Sequence, residues 1–96
     1  MFKDNLLKNK RILITGGGTG LGKEMASHFA MHGAELYICG RRENVLSETA
    51  NEISETYGTK VNYQTLDIRA SKDVDDYIEF IFEKGPLDLS LIHIWR

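Results

Sequence analysis

Ninety-six residues are enough for one domain and no more. With 42% hydrophobic and 27% charged residues and a formal charge of −2, the chain has a globular composition and no basic face for nucleic acid or an anionic membrane. The single cysteine, Cys39, cannot close an intrachain disulfide, no apolar run after Met1 reaches signal-peptide length, and none approaches the ~20 residues of a membrane span, so a reducing, cytoplasmic setting is expected.

Hydrophobic periodicity then alternates along the chain. Arg11-Ile12-Leu13-Ile14-Thr15 is a short apolar run closed by glycines, the pattern of a buried parallel strand. Leu21, Met25 and Phe29, with Ala26 and Ala30 beside them, predict a helix with one apolar stripe, ended by Gly33. A second strand is expected over Glu35–Cys39, stopped by Gly40. Asn44 is placed to cap a second helix that buries Leu46, Ala50, Ile53 and Tyr57 and stops at Gly58. A third strand is expected from Val61 to Ile68. Ser71 is then placed to cap a third helix with Asp73, Asp75 and Asp76 in its first turn, Val74, Ile78, Ile81 and Phe82 on its buried side, and Gly85-Pro86 as its end. A fourth apolar run begins at Leu87. The order β-α-β-α-β-α-β with short connections implies an α/β fold, the first half of a doubly wound parallel sheet of the Rossmann type, truncated after three to four strands.

Thr15-Gly16-Gly17-Gly18-Thr19-Gly20-Leu21-Gly22-Lys23 joins the first strand to the first helix, where such a sheet places a phosphate site. Gly16 permits a tight turn, Gly20 lets the backbone approach a pyrophosphate, Gly22 allows the helix to pack closely on the strand, and Thr19 adds a hydroxyl donor. Gly17 to Lys23 also fits the start of a P-loop, but the following residue is Glu24 where magnesium would require Ser or Thr, and its carboxylate would repel a triphosphate. The second strand decides between dinucleotides. An acid about twenty residues beyond the glycines would accept from a ribose 2′-hydroxyl, whereas Gly40-Arg41-Arg42 offers two guanidinium groups suited to a 2′-phosphate, so NADP(H) is expected in preference to NAD(H). At the end of the third strand, Asp67 can accept from an adenine amino group and Ile68 can supply an apolar wall. His28 and His32, at i and i+4 without a third ligand, read as a solvated helix face rather than a metal site. His93 has no partner carboxylate or cysteine in motif spacing.

Thr15-Gly16-x-x-x-Gly20-x-Gly22, Gly40-Arg41-Arg42, Asp67-Ile68-Arg69 and Gly85-x-Leu87-Asp88 together resemble the short-chain dehydrogenases/reductases from about Lys10 to Asp88. The resemblance implies that Thr15 to Gly22 hold the pyrophosphate, that Arg41 and Arg42 select NADP, and that Asp67 binds adenine. A further likeness, carried by Thr15 to Lys23, Val45-Leu46-x-x-Thr49-Ala50-x-x-Ile53-Ser54 and Gly58-x-Lys60-Val61, is to the 2,4-dienoyl-CoA reductase branch, which implies a fatty acyl-CoA as the small-molecule substrate. A homo-oligomer is implied for the full-length protein.

The sequence departs from the family after Asp88, where Leu89-Ser90-Leu91-Ile92-His93-Ile94-Trp95-Arg96 replaces the expected strand ending in Asn-Asn-Ala-Gly. The family's catalytic Ser, Tyr and Lys have no counterpart, because the residues four places after Tyr37, Tyr57, Tyr63 and Tyr77 are Arg41, Val61, Asp67 and Ile81, none of them lysine. Residues 1–88 are thus expected to be the N-terminal half of an NADP(H)-binding domain. Leu89-Ser90-Leu91-Ile92-His93-Ile94 matches one reading frame of a transposon-end sequencing adapter, so residues 89–96 are expected to be a read-through tail; the other reading is a divergent fourth strand. A non-catalytic NADP(H)-binding module or an inactive truncated product is the alternative to a reductase fragment.

Overall fold

The computed structural model describes residues 6–16, 20–67, 70–85 and 89–91. Gly18, Thr19, Ile68, residues 86–88 and residues 92–96 lie outside them, as do the side chains of Leu21 and Ser71. Four strands, β1 (Arg11–Thr15), β2 (Glu35–Gly40), β3 (Val61–Thr65) and β4 (Leu89–Leu91), alternate with three helices, α1 (Gly20–Met31), α2 (Glu43–Tyr57) and α3 (Ser71–Glu83). The sheet is parallel in the order β3-β2-β1-β4, with Ile12 beside Leu36 and Leu89, and Ile14 beside Ile38 and Leu91. The chain therefore steps outward from β1 to β3 and then crosses to the other side of β1, the reversal of strand order that opens a crevice at the carboxyl ends.

Side-chain alternation divides the core into two halves. Ile12, Ile14, Leu36 and Ile38 face Ala26 and Ala30 of α1 and Leu46, Ala50 and Ile53 of α2. Leu13, Tyr37 and Cys39 face Tyr77 and Ile81 of α3. Both inner strands are thus buried on both faces, which explains why their apolar residues run continuously. Helix α1 packs into the core through Ala26 and Ala30, with Gly22 also buried, while Met25 and Phe29 are only half-buried. Small residues on the contact stripe bring the helix axis close to the strands. Among the described residues no helix is long and apolar enough to cross a membrane.

Several boundaries differ from the sequence expectation, each for a local reason. Strand β2 runs one residue further, to Gly40, and the link to α2 is only two residues long. Arg42 becomes the N-cap, with no side-chain capping bond, and Asn44 falls inside the helix. The turn in which Ala70 N–H donates to the Asp67 carbonyl (2.9 Å) leaves Ala70 extended as N-cap, so Ser71 is the first helical residue of α3 and not its cap. Strand β3 ends at Thr65, short of Ile68, because it pairs only with β2. The ladder closes at Gly40 beside Thr65, and Leu66 N–H donating to the Gly40 carbonyl (2.7 Å) is its last rung. The C-cap of α3 is Lys84, one residue before Gly85; the fourth strand is described over Leu89–Leu91, and its expected start at Leu87 lies outside the described residues.

Two expected core residues are on the surface. The buried stripe of α2 is Leu46, Thr49, Ala50 and Ile53, while Tyr57, the last helical residue, is 39% exposed. Tyr77 and Ile81 form the buried face of α3, with Ile78 packed beside them; Phe82, about 100° around the helix from Ile81, is 52% exposed.

A polar network ties the amino ends of the strands to α3. Arg11 Nη2 donates to Tyr37 Oη (2.6 Å) and to the Ile81 carbonyl (3.0 Å), with its guanidinium 5.0 Å from the centre of the Tyr37 ring. Tyr37 Oη donates to Glu35 Oε2 (2.9 Å), and Asn62 Nδ2 donates to the same oxygen (3.3 Å) and to the Leu36 carbonyl (3.1 Å). A cation on a carbonyl of the last turn of α3 also suits the negative end of that helix's dipole.

Three expectations follow for stability. Gly58 closes α2 at φ 71°, ψ 21°, and a Cβ there would meet nothing within 4 Å, so Gly58→Ala carries conformational strain alone. It should cost about 1 kcal/mol in urea unfolding, and Gly58→Asn less, since Asn tolerates the left-handed region; equal costs would contradict that account. Burial pushes the Cys39 thiol up to about 12 from 9.0 and raises Tyr77, also chiefly through burial. In the native chain at pH 8, Cys39 should resist a thiol-specific disulfide reagent and react only after unfolding in urea. For both groups the folded pKa lies above the unfolded one, so the neutral form is favoured by folding. Their stabilisation is complete below about pH 9 and is lost as the pH rises toward 12, readable as a falling urea midpoint over that window.

Candidate functional site

The carboxyl ends of β1, β2 and β3 lie side by side, because parallel pairing in register sets Thr15 beside Cys39 and Gly40 beside Thr65. Gly16 continues that alignment past the end of β1: its N–H donates to the Cys39 carbonyl at 2.7 Å, and its φ of 74° turns the chain off the sheet. Gly20 opens α1 at φ 60°, exposed, and among the described residues a Cβ built there would meet nothing within 4 Å beyond its own turn of helix. The space in front of its backbone is open to a ligand. Gly22, one step into the helix, is buried instead.

The electrostatics of this end favour an anion. Helices α2 and α3 carry Glu43 and Asp73 in their first turns, whereas α1 has no acidic residue in its first turn, so the positive end of its dipole is not offset by its own side chains. Arg41 and Arg42 form the two-residue turn after β2, are exposed, and have no side-chain hydrogen-bond or ion-pair partner among the described residues. Two exposed guanidinium groups at the same end as Gly16 and the exposed Gly20 suit an anionic ligand.

Of the residues singled out from sequence, Gly16, Gly20, Gly22, Arg41, Arg42 and Asp67 are all placed at this end of the sheet. Thr15 is also there but fully buried, on the α3 side of β1 with Leu13. Asp67 is half-buried beyond β3, in the turn that leads to α3. Gly18, Thr19 and Ile68 lie outside the described residues, and for Leu21 only the backbone, in the first turn of α1, is described. The sequence reading missed an ion pair at the edge of the site. Lys23 Nζ lies 3.1 Å from Glu52 Oε1, linking the start of α1 to the middle of α2. No local signal announces a pair separated by twenty-nine positions. It occupies the lysine that a P-loop reading would send to a phosphate.

Comparison with known proteins agrees with this geometry. A family model described as short chain dehydrogenase matches residues 10–92. The chain is 37% identical over 95 residues to a hydroxysteroid 11-beta-dehydrogenase 1-like protein of Danio rerio, covering 97% of this chain and 33% of that one. It is 40% identical over 84 residues to a probable 2,4-dienoyl-CoA reductase of Caenorhabditis elegans, covering 88% of this chain and 27% of that one. Among solved structures, L-sorbose reductase from Gluconobacter frateurii, complexed with NADPH and L-sorbose, superposes with a TM-score of 0.88 at 26% identity, over 97% of this chain and 36% of that one. The chain thus spans about a third of the length of the relatives it matches. With a doubly wound parallel sheet, a glycine turn at its switch point and a family match across nearly all of its residues, the chain belongs to the short chain dehydrogenase family.

Proposed function

We propose that this chain is the cofactor-binding part of an NADP(H)-dependent oxidoreductase. The observation that carries the choice of NADP(H) over NAD(H) is the exposed, unpaired Arg41-Arg42 turn one strand away from the glycine turn, where an NAD site would hold an acid. In this reading the backbone from Gly16 to Gly22 and the start of α1 hold the pyrophosphate, with Thr15, Thr19 and Leu21 shaping the turn. Arg41 and Arg42 grip the 2′-phosphate, and Asp67 and Ile68 receive the adenine. NADPH bound there supplies a hydride for a carbonyl or enoyl substrate. The residues of this chain bind and orient the cofactor; they do not move the proton.

The likeness to a 2,4-dienoyl-CoA reductase supports a fatty acyl-CoA thioester as the substrate class of the whole protein, and we place that protein in the cytoplasm as a homo-oligomer. The proton donor and its lysine belong to the whole protein, since no tyrosine among these residues is followed four places later by lysine. The same fact favours a second reading, a dinucleotide-binding module or inactive truncated product without turnover, and under either reading the 96 residues alone should not consume NADPH.

The cofactor assignment is tested by titrating the chain with NADPH and NADH while following nicotinamide fluorescence. Replacing both arginines, R41Q with R42Q, should weaken NADPH about tenfold or more and leave NADH within about twofold, since a 2′-phosphate loses two charge-assisted contacts and a 2′-hydroxyl loses none. Equal losses for both nucleotides would remove the specificity role. No saturable binding of either nucleotide to the unsubstituted chain would remove the site.

A further inference from the structure

At the other end of the sheet, α3 leaves part of β3 uncovered. Its Tyr77 and Ile81 pack on Leu13, Tyr37 and Cys39 of β1 and β2, and β3 is the edge strand beyond them. Asn62, beside Tyr37 in the parallel register, therefore faces a groove of about 380 Å³ instead of a helix. That volume is in the range that holds small organic ligands. Tyr37, Asn62 and Tyr77 line it, with Phe80 on the α3 side and Lys60 and Lys84 contributing the charge.

The lining is aromatic and cationic. Tyr37 and Tyr77 are nearly buried, at 3% and 7% exposure, while Phe80 is 48% exposed, and it stacks with Tyr77 at 6.3 Å between ring centres and 13° between planes. Lys84 Nζ sits 5.0 Å from the centre of the Phe80 ring, so a charge is held against the aromatic surface and not dispersed in solvent. Glu35, the carboxylate closest to the groove by bonding, is taken up by Tyr37 Oη and Asn62 Nδ2, and Arg11 is taken up by Tyr37 and the Ile81 carbonyl. Lys60 and Lys84 are what the groove presents to a ligand. A second copy paired along β3 would not answer them, because Val61-Asn62-Tyr63-Gln64-Thr65 contains no carboxylate.

We infer that this groove binds a planar, apolar small molecule carrying one carboxylate or sulfonate, with its ring against Tyr77 and Phe80 and its anion met by Lys60 and Lys84. The site is separate from the nucleotide end: Lys60 precedes the first residue of β3, whereas Gly16, Arg41 and Arg42 follow the last residues of β1 and β2. Occupancy is therefore independent of NADPH.

The test is a titration of the isotopically labelled 96-residue chain with 1-naphthoate, followed by amide chemical shifts, with and without saturating NADPH, and with uncharged naphthalene-1-methanol as the control. Saturable shifts are expected at Asn62, Tyr77, Phe80 and Lys84, unchanged by NADPH, with the neutral probe about tenfold weaker. K60Q with K84Q, both at exposed positions, should bring naphthoate down to the affinity of the neutral probe, and Phe80→Ala should weaken both probes alike. Equal affinity for the two probes, an unchanged K60Q/K84Q variant, shifts centred on the glycine turn, or no saturation at concentrations on the order of 10 mM would each overturn the assignment.

Discussion

Strand β1 is the constraint from which the rest of this structure follows. It is the one strand of the described sheet with a partner on each side that also divides the strands added before the crossover, β2 and β3, from β4 added after it. Ile12, Leu13, Ile14 and Thr15 are all at most 2% exposed, so both faces are buried, with Thr15 the one polar side chain among them, and each edge carries a paired strand. A one-residue slip of β2 against β1 would exchange Tyr37 and Cys39 with Leu36 and Ile38, placing a phenol against the alanines of α1. The register is thereby fixed by shape. Because it is fixed, Gly16, just past the end of β1, lies level with Gly40 and Thr65, the last residues of β2 and β3, without any side chain having to draw them together.

The two ends of the sheet solve opposite problems. At the amino ends, Arg11 and Glu35 are satisfied internally: they share hydrogen bonds with Tyr37 and Asn62, and a carbonyl of α3 is drawn into the same network. A Cβ on Gly85, which has a φ of 145°, would come within 3.1 Å of Arg11 Nη1, so the chain leaving α3 passes close over this network. At the carboxyl ends, Arg41 and Arg42 have no acidic partner among the described residues, and the first turn of α1 carries no acid. A folded chain gains little from two solvated arginines at the start of a helix, where cations are slightly unfavourable. Their placement makes physical sense toward an anion that approaches from outside.

The architecture was legible because its signals are local and redundant. The apolar run at Arg11–Thr15, the four-residue spacing through α1 and the glycines at 33 and 58 each mark one element, and the order of elements leaves few topologies. What sequence misplaced depends on partners distant in the chain. Strand β3 stops where β2 stops, which no property of Leu66 or Asp67 announces. Asn44 and Ser71 have the chemistry of caps, yet the lengths of the turns before them moved the helix starts to Glu43 and Ser71. Phe82 is as apolar as Ile81, and only the position of the helix against Leu13, Tyr37 and Cys39 separates a buried residue from an exposed one. The glycine turn and the arginine pair could be read as chemistry because each sits between elements whose identity was already clear. The Lys23–Glu52 pair and the aromatic groove beside β3 join residues on separate elements and had no such frame.

The division between fold and specificity has a further consequence. The core stripes of α1 and α2 use small and branched apolar residues that many sequences could supply, which accounts for superposition at a TM-score of 0.88 on a protein sharing 26% of its residues. The groups that would discriminate one dinucleotide from another are two residues in a turn that contributes nothing to that core. Exchanging Arg41 and Arg42 for an acid and a small residue would leave every buried contact in place and reverse the sign of the charge at the end of β2. If Arg41 and Arg42 hold a 2′-phosphate as proposed, cofactor preference is a surface electrostatic property, screened by salt and tunable without loss of a buried contact. Gly16 and Gly20, by contrast, take φ values of 74° and 60°, which tie them to the backbone path between β1 and α1. The arginines can be exchanged with the fold intact; the two glycines are bound to the fold itself.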